Sequence, residues 1–294
     1  MSLFYRLLYG RKRILSPENN CRYPLNKDGY VDLSNQFIDC SKLAHKYIKC
    51  DFSKSLFAHR NTIYWLENKV FVGSLFSRTA FNAIAEHGNV FQNCTFKDIS
   101  FRNAILGYDS SRYISCRFEN VSFGAFIKPQ FKDCYFIDCN FHNVDFMASN
   151  FENCVFSGKI EKVWFRGNFP TKSLQKEFGE AKPNKMLNVS FEKAIMHDVT
   201  FSDNCDLSTI VLPGHGHYLF FDNWDEQLNA ILAEGNKSQT VTTRNDTASF
   251  VEIYKVHSAN QRYYLLNIED LINEYSENTI GIIRKNATIE TELS

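Results

Sequence analysis

A short segment with two histidines contains the side chains in this chain of 294 residues that are best suited to bind a metal. The segment Gly-His-Gly-His at 214–217 provides His215 and His217 on a flexible backbone, and imidazole nitrogens are common ligands of zinc and copper. A third ligand would have to come from His197 or His257, since none follows at a recognisable spacing. The alternative interpretation is a turn with both histidines in solvent. His215 and His217 are therefore weak metal candidates, and the sequence predicts no cofactor.

Cysteines are the other reactive side chains, and there are nine of them. Seven share one position, two residues before a Phe or Leu: Cys50, Cys94, Cys116, Cys134, Cys139, Cys154 and Cys205. A thiol at such a regular position is a compact apolar group of a core, where the reactive thiolate is disfavoured. Free thiols indicate a reducing compartment. The sequence also has no Walker-type loop, dinucleotide fingerprint, HExxH or GxSxG motif, so we expect a protein that is not an enzyme.

The elements that position these side chains follow a period of five residues. Phenylalanine recurs at every fifth position of one stretch, as Phe131, Phe136, Phe141, Phe146, Phe151 and Phe156. A helix would spread such rings around its axis, and a strand would alternate them between its two faces. If the chain instead turns a corner every five residues, each ring points to one shared axis. Four such sides close a coil of about twenty residues, and coils stack at the ~4.8 Å spacing of β-strands.

Residues on either side of each Phe support this geometry. Two positions before it stands a small side chain, as at Cys134 and Ser149, and two positions after it stands Asp, Asn, Ala or Gly, as at Asp133 and Asn143. Asp, Asn and Gly tolerate the backbone dihedrals of a corner. This pattern resembles the pentapeptide-repeat family. The resemblance implies an all-β solenoid, a right-handed quadrilateral parallel β-helix. The sequence on either side of the repeats adds a predicted N-terminal cap and a small, mainly helical C-terminal domain.

The pattern continues on both sides of this stretch, with interruptions. From Leu106 to Phe118 the step is twelve and from Phe123 to Phe131 it is eight, so an insertion and a deletion cancel over one coil. The predicted structural core consists of these central positions: Phe91, Phe96, Phe101, Phe118, Phe123, Phe131, Phe136, Phe141, Phe146, Phe151, Phe156, Phe191 and Phe201.

Three regions follow from where the pattern begins and ends. Residues 1–30 are a predicted cap, in which Leu3, Phe4, Leu7 and Leu8 form an apolar stripe at helical spacing that either covers the first coil or touches a membrane surface. The predicted solenoid spans residues 31–212, with an excursion at about 168–188 where the five-residue pattern is lost. Residues 213–294 are predicted to be a mainly helical C-terminal cap or accessory domain.

The C-terminal region has a different pattern from the solenoid. A helix is predicted to start after Asp222 or Asn223 and to end at Gly235. A linker is predicted at 237–247, further helices near 247–264 and from Asn267, and a short strand at 280–283.

Charge is balanced overall but unevenly distributed. Lys plus Arg and Asp plus Glu both number 33, whereas residues 203–294 hold fourteen acidic and six basic residues. Residues 157–188 hold seven basic and three acidic residues. The side chains of a possible partner surface lie there: Trp164, Arg166, Phe169, Lys172, Lys176, Lys182 and Lys185. Direct binding of nucleic acid by these lysines is the less favoured interpretation, and a solvated loop of ordinary lysines is the simpler one.

The predicted function is that of a non-enzymatic scaffold for protein–protein interaction, with a partner that the sequence does not identify. Some relatives, the quinolone-resistance type, resemble DNA and act on type II topoisomerases, and the basic segment departs from that model. A small ligand-binding or catalytic C-terminal domain is the other alternative. Some family members dimerise through terminal coils, which leaves a homodimer open. No apolar run is long enough for a membrane span, and no secretory signal is evident, so we expect a cytoplasmic protein.

Overall fold

The computed structural model describes residues 23–59, 63–108, 111–182 and 184–293. The chain divides into two compact units, Met1–Phe141 and His142–Ser294. The stripe of Leu3, Phe4, Leu7 and Leu8 in the predicted N-terminal cap lies outside the described residues.

The first unit is a β-solenoid of short strands, each of two to four residues, with one 3-10 helix at Cys40–Lys42. The strands are β1 Val31–Asp32, β2 Phe37–Asp39, β3 Lys46–Ile48, β4 Cys50–Asp51, β5 Leu56–Ala58, β6 Tyr64–Glu67, β7 Val70–Val72, β8 Leu75–Ser77, β9 Ala80–Phe81, β10 Ile84–His87, β11 Val90–Gln92, β12 Thr95–Lys97, β13 Ala104–Leu106, β14 Arg112–Ile114, β15 Arg117–Glu119, β16 Ala125–Ile127, β17 Gln130–Lys132 and β18 Tyr135–Ile137.

Strands of successive coils pair in parallel on four sides. One side has the order β3-β7-β11-β14-β17, the next β1-β4-β8-β12-β15-β18, and the fourth β6-β10-β13-β16. The third side pairs β2, β5 and β9 and continues as isolated bridges from Ser100 to Ser122 to Asn140. The second side thus stacks six strands, which makes about six coils.

The core of this unit consists of side-chain columns, one for each side. On the first side, Tyr47, Phe71, Phe91, Tyr113 and Phe131 stack with ring centroids 4.9–5.3 Å apart. On the second side, Phe52, Phe76, Phe96, Phe118 and Phe136 stack at 4.9–5.1 Å. Phe57, Phe81, Phe101, Phe123 and Phe141 form the third column, and Leu66, Glu86, Leu106 and Phe126 occupy the fourth. The rings stack closely and in parallel because each coil repeats the geometry of the preceding coil at the spacing of β-strands.

Corners of the solenoid have left-handed backbone conformation. The residue two positions after a central side chain has a positive φ, for example 53° at Asn93, 54° at Asp98 and 49° at Asp138. Asn and Asp enter this region at lower cost than most residues, which explains their recurrence at corners. Each five-residue unit therefore contains one corner of the solenoid backbone.

The irregular coil is accommodated by Tyr113 and Phe126. Tyr113 pairs in register with Phe91 and Phe131, so it is the central residue of its side after the insertion. Phe126 follows Phe123 by only three positions and fills the fourth column. Neither was among the predicted core residues, although each lies five positions before one of them, Phe118 or Phe131; only the step from the preceding central residue is irregular.

The second unit begins with parallel strands and ends in a small domain of helices and strands. Its strands are β19 Asp145–Met147, β20 Asn150–Glu152, β21 Val155–Arg166, β22 Ser190–Ser202, β23 Gly216–Phe221, β24 Tyr264–Asn267 and β25 Ile289–Leu293. Its helices are α1 Lys172–Phe178, α2 Trp224–Gly235, α3 Val241–His257, α4 Glu269–Ile272 and α5 Glu277–Lys285.

Long strands β21 and β22 run parallel to each other in the solenoid part of this unit. Phe165 pairs with Phe201, and its ring stacks on that of Phe201 at 5.5 Å and on that of Phe146 at 5.1 Å. Phe191 stacks on Phe156 at 5.2 Å. The chain leaves the solenoid between β21 and β22, and α1 lies in this excursion.

The C-terminal residues form an antiparallel sheet, β24-β23-β25, packed with helices. The fully buried Trp224 at the start of α2 stacks on Tyr264 of β24 at 4.7 Å, and its indole Nε1 donates a hydrogen bond to Ser258 Oγ. Two sequence predictions fail here. The expected linker at 237–247 contains the start of α3, and the expected strand at 280–283 lies within α5. In α5 the apolar residues Ile280 and Ile283 are three positions apart and bury one helix face, a spacing that fits a helix better than a strand.

The predicted fold class is confirmed: the protein is a parallel β-solenoid with a small helical C-terminal region. All thirteen predicted central Phe side chains are at most 3% exposed.

Replacing Phe96 by alanine should lower the free energy of unfolding by about 3–5 kcal/mol, because the change opens a cavity between two stacked rings. The ring centroid of Phe96 lies 4.9 Å from those of both Phe76 and Phe118. The exposed Gln92→Ala in β11 is the matched control and should change stability by less than about 0.5 kcal/mol. Urea denaturation monitored by circular dichroism measures the stability of both variants. Equal effects of the two substitutions would contradict the assigned core.

One carboxyl group lies in the aromatic core. Glu86 is 3% exposed, and its Oε2 accepts hydrogen bonds from the hydroxyl of Tyr113 at 2.6 Å and from the backbone N–H of Gly107 at 3.2 Å. Burial raises the pKa of Glu86 to about 7, and the two hydrogen bonds oppose the rise only in part. The unfolded chain ionises this group near its ordinary pKa of 4.5. Its contribution to stability is therefore complete below pH 4.5 and is lost as the pH rises to about 7.

The Glu86→Gln variant should remove this pH dependence, since a glutamine oxygen accepts the same hydrogen bonds and does not ionise. Relative to the variant, the wild-type protein should lose roughly 3 kcal/mol of unfolding free energy between pH 4.5 and pH 8. Glu67→Gln, at an exposed position on the same side of the solenoid, is the control and should leave the pH profile unchanged. Parallel profiles for wild type and Glu86→Gln would show that Glu86 does not titrate in this range.

Candidate functional site

The two histidines of the weak metal candidate lie in and beside β23. His215 is exposed, while His217 Nε2 lies 2.5 Å from Glu290 Oε1, which Arg284 also contacts. His197 is elsewhere, with its Nδ1 3.1 Å from Asp270 Oδ1. Among the described residues, no three His, Cys, Asp or Glu side chains are grouped as metal ligands. The structure thus pairs His217 with a carboxylate of β25 and does not bring it to His197.

Cysteine side chains lie where the sequence pattern predicted them. The eight cysteines in the described part of the chain are buried and form no disulfide bond. Thiols donate weak hydrogen bonds to neighbouring backbone carbonyls, as from Cys139 Sγ to Phe118. Burial raises the pKa of Cys50 to about 11 and that of Cys139 to about 12. These thiols stay protonated at neutral pH and are poor nucleophiles.

Three residues of the predicted partner surface are largely held in structural contacts. Arg166 is 14% exposed and donates to both Asp145 and Asp203, and its guanidinium lies 4.0 Å from the ring centroid of Trp164. Phe169 is 7% exposed. The sequence assigned these residues to a surface because it does not show which side chains face each other across coils.

The four lysines of the predicted surface are exposed: Lys172, Lys176, Lys182 and Lys185. Helix α1 has no buried residue. Its first turn is capped by Thr171 Oγ1, which accepts a hydrogen bond from the backbone N–H of Leu174, and Gly179 with φ 75° follows its end. The excursion therefore carries a short helix whose residues are all at least partly exposed, with lysines on its surface.

Both ends of the excursion are anchored in the interior. Phe169 stacks with Phe178 at 5.8 Å. At the other end, the buried Asn184 donates from Nδ2 to Cys205 Sγ, and Met186 is fully buried. The exposed part of the excursion is thus shorter than the predicted range of residues 168–188.

A cleft of about 250 Å³, which the sequence did not predict, lies between β22 and the C-terminal helices. Asp198 and Thr200 of β22 line one side, Tyr254 and His257 of α3 the other, and Asp270 of α4 lies beside them. Its lining comes from four separate stretches of the chain, and no local motif joins them.

Hydrogen bonds fix the position of Asp270 in this cleft. Its Oδ2 accepts from the backbone N–H of Asp198 at 2.8 Å, and its Oδ1 lies 3.1 Å from His197 Nδ1. Asn267 joins the two elements by donating from Nδ2 to the carbonyl of Met196. Burial raises the pKa of Asp270, and the nearby charge of Asp198 adds to the rise. Three carboxyl groups, those of Asp198, Asp270 and Glu274, thus line the cleft.

Fold and surface together define a class of protein: a four-sided β-solenoid of five-residue units with appended segments. A family model for pentapeptide repeats, in eight copies, matches residues 130–158. Residues 130–158 of this chain thus carry pentapeptide repeats.

Two solved structures show a distant similarity. Full-length QnrB1, a plasmid-mediated fluoroquinolone resistance protein, is 13% identical, with a TM-score of 0.32 over 58% of this chain and 91% of that one. A trypsin-treated variant of QnrB1 is 14% identical, with a TM-score of 0.26 over 59% of this chain and 92% of that one. No curated protein matches this chain. Within the described residues, no helix has the length and hydropathy needed to cross a membrane.

Replacing Arg166 by alanine should destabilise the protein by about 3 kcal/mol, because Asp145 and Asp203 would face each other without their shared cation. Lys159→Ala in the same strand is the control, since Lys159 is 59% exposed and pairs only with a neighbouring glutamate, and it should cost less than about 0.5 kcal/mol. Thermal and urea unfolding measure the difference. Equal stability of Arg166→Ala and Lys159→Ala would contradict a structural role for the ion pairs of Arg166.

Proposed function

We propose that this protein is a non-enzymatic interaction scaffold that binds a protein partner through the excursion between β21 and β22. The observation that carries this proposal is α1, an ordered helix without one buried residue. Short helices are marginal in water, so an ordered one of seven residues needs support from its surroundings. Phe169, stacked on Phe178, supplies that support from a buried position.

Charge favours a partner with an acidic surface. Lys172, Lys176, Lys182 and Lys185 are exposed on the excursion, which also carries Glu177 and Glu180. Complementary charges mainly raise the rate of association and exclude wrong partners, while the affinity comes from buried contacts. Leu174 and Phe178, both partly exposed on α1, are the apolar contacts available for that purpose.

The experiment compares proteins recovered from a lysate of the native cell by the full chain and by two variants. One variant replaces residues 172–181 by a Gly-Ser linker and leaves the buried Asn184 and Met186 in place. The other is the triple substitution of Lys172, Lys176 and Lys185 by alanine. We expect a stoichiometric protein with the full chain, less with the triple variant, and none with the linker variant.

The matched control removes three exposed lysines of the first unit, Lys46, Lys49 and Lys54, by alanine substitution. It should recover the partner as well as the full chain does. Recovery that is unchanged by the linker variant would contradict the proposed surface. Recovery of nucleic acid instead of protein, lost in the triple variant and at high salt, would replace protein binding by nucleic-acid binding.

A further inference from the structure

We propose that the cleft between β22 and α3 binds a basic side chain, an ammonium or guanidinium group carried on an apolar stem. Carboxylates of Asp198, Asp270 and Glu274 line the cleft, and no lysine or arginine lines it in the part of the chain that the structure describes. Apolar atoms of Met196 and Ile253 supply a surface for the stem. This inference concerns a different surface from the excursion and does not depend on it.

Nearby cations leave two of the three carboxylates without a counter-ion. Lys255 of α3 donates instead to Asn229 Oδ1 at 2.9 Å, and Arg262 pairs with Asp222. The imidazole of His197 contacts Asp270 from the solenoid side. Asp198 and Glu274 are exposed and have no ion pair among the described residues. An incoming cation would therefore meet two carboxylates that lack a counter-ion.

Tyr254 gives a second, independent indication of a ligand. Its ring packs edge-on against Trp224 at 5.9 Å and Tyr264 at 5.6 Å, and its hydroxyl has no hydrogen-bond partner within the described residues. Burial, with the charges of nearby groups that include Asp270 and Glu274, holds the pKa of this hydroxyl well above its usual value. A neutral phenol in a negative cleft can accept a hydrogen bond from an ammonium group, and its ring face attracts a cation.

Size and ligand type restrict the occupant. Pockets for drug-sized ligands measure about 300–1,000 Å³, so a cleft of about 250 Å³ suits one side chain better than a larger molecule. No metal-ligand cluster of three residues exists among the described residues, which argues against a bare divalent cation. Ile253 at the edge of the cleft is 39% exposed and Val256 on the same helix is 71% exposed, which gives the ligand's stem or backbone an apolar surface.

The test titrates the full chain with N-acetyl-lysine methylamide and with N-acetyl-arginine methylamide. Saturation-transfer difference NMR monitors the binding. N-acetyl-norleucine methylamide, which has the stem without the charge, is the control ligand. At least one cationic amide should bind saturably and about tenfold more tightly than the norleucine amide, which corresponds to one charge-assisted hydrogen bond. Equal affinity for the norleucine amide, or no saturable binding of any cationic amide, would overturn the proposal.

Variants locate the binding. Asp270→Asn should weaken the affinity for the cationic amide about tenfold. The exposed Glu274→Gln, which does not threaten folding, should weaken it severalfold, as should Tyr254→Phe. Asp225→Asn, at an exposed position in the first turn of α2, is the matched control and should leave the affinity unchanged. Unchanged binding in folded Glu274→Gln and Tyr254→Phe would place the ligand elsewhere and contradict the proposal.

A further arm separates the two sources of a basic group. Decapeptides with one central lysine are compared with cadaverine, a free diamine. Tighter binding of the peptide identifies a polypeptide side chain as the ligand, whereas tighter binding of cadaverine identifies a small amine. If neither the peptide nor cadaverine binds while the excursion still recovers its partner, the cleft proposal is overturned and the proposed function stands.

Discussion

Stacking of buried side chains at the spacing of β-strands is the interaction on which this structure depends. Rings in one column lie almost parallel, as for Phe76 and Phe96 at 6°, while rings in neighbouring columns meet edge to face, as for Phe91 and Phe96 at 68°. Both arrangements suit the aromatic quadrupole. Each coil thus buries one side chain per side against the coils before and after it, and the outward positions stay free to vary.

Because the core is uniform, functional features have to be added to it. The excursion with α1 leaves and re-enters the solenoid through buried anchors, and the C-terminal residues pack against the last long strand, β22. There Met196 accepts a hydrogen bond at its carbonyl from Asn267 and donates its backbone N–H to the hydroxyl of Tyr218. The cleft arises at this junction, since a helical domain does not match the surface of a strand at every point.

The solenoid could be predicted from the sequence because its period is local: each unit contains its own small residue, central ring and corner residue. Tyr113 and Phe126 were missed because the step from the preceding central residue is irregular, seven residues from Leu106 and three from Phe123. Glu86 was missed because it is a charged residue that the core accepts through two hydrogen bonds. The ion pairs of Arg166 and the cleft around Asp270 connect residues distant in sequence, so no spacing reveals them. The strands β23 and β24 were missed for a similar reason, since their pairing is antiparallel and non-local.

Amide hydrogen exchange of the native protein, resolved by peptide mass spectrometry, is the decisive measurement of whether a rigid solenoid supports segments that its core does not need. Amides of β11, β12 and β15 should exchange only through global unfolding, while those of α1 should exchange orders of magnitude faster. Exchange of the solenoid strands at the rate of α1 would contradict a rigid core, and protection of α1 equal to that of β12 would contradict its independence from the core.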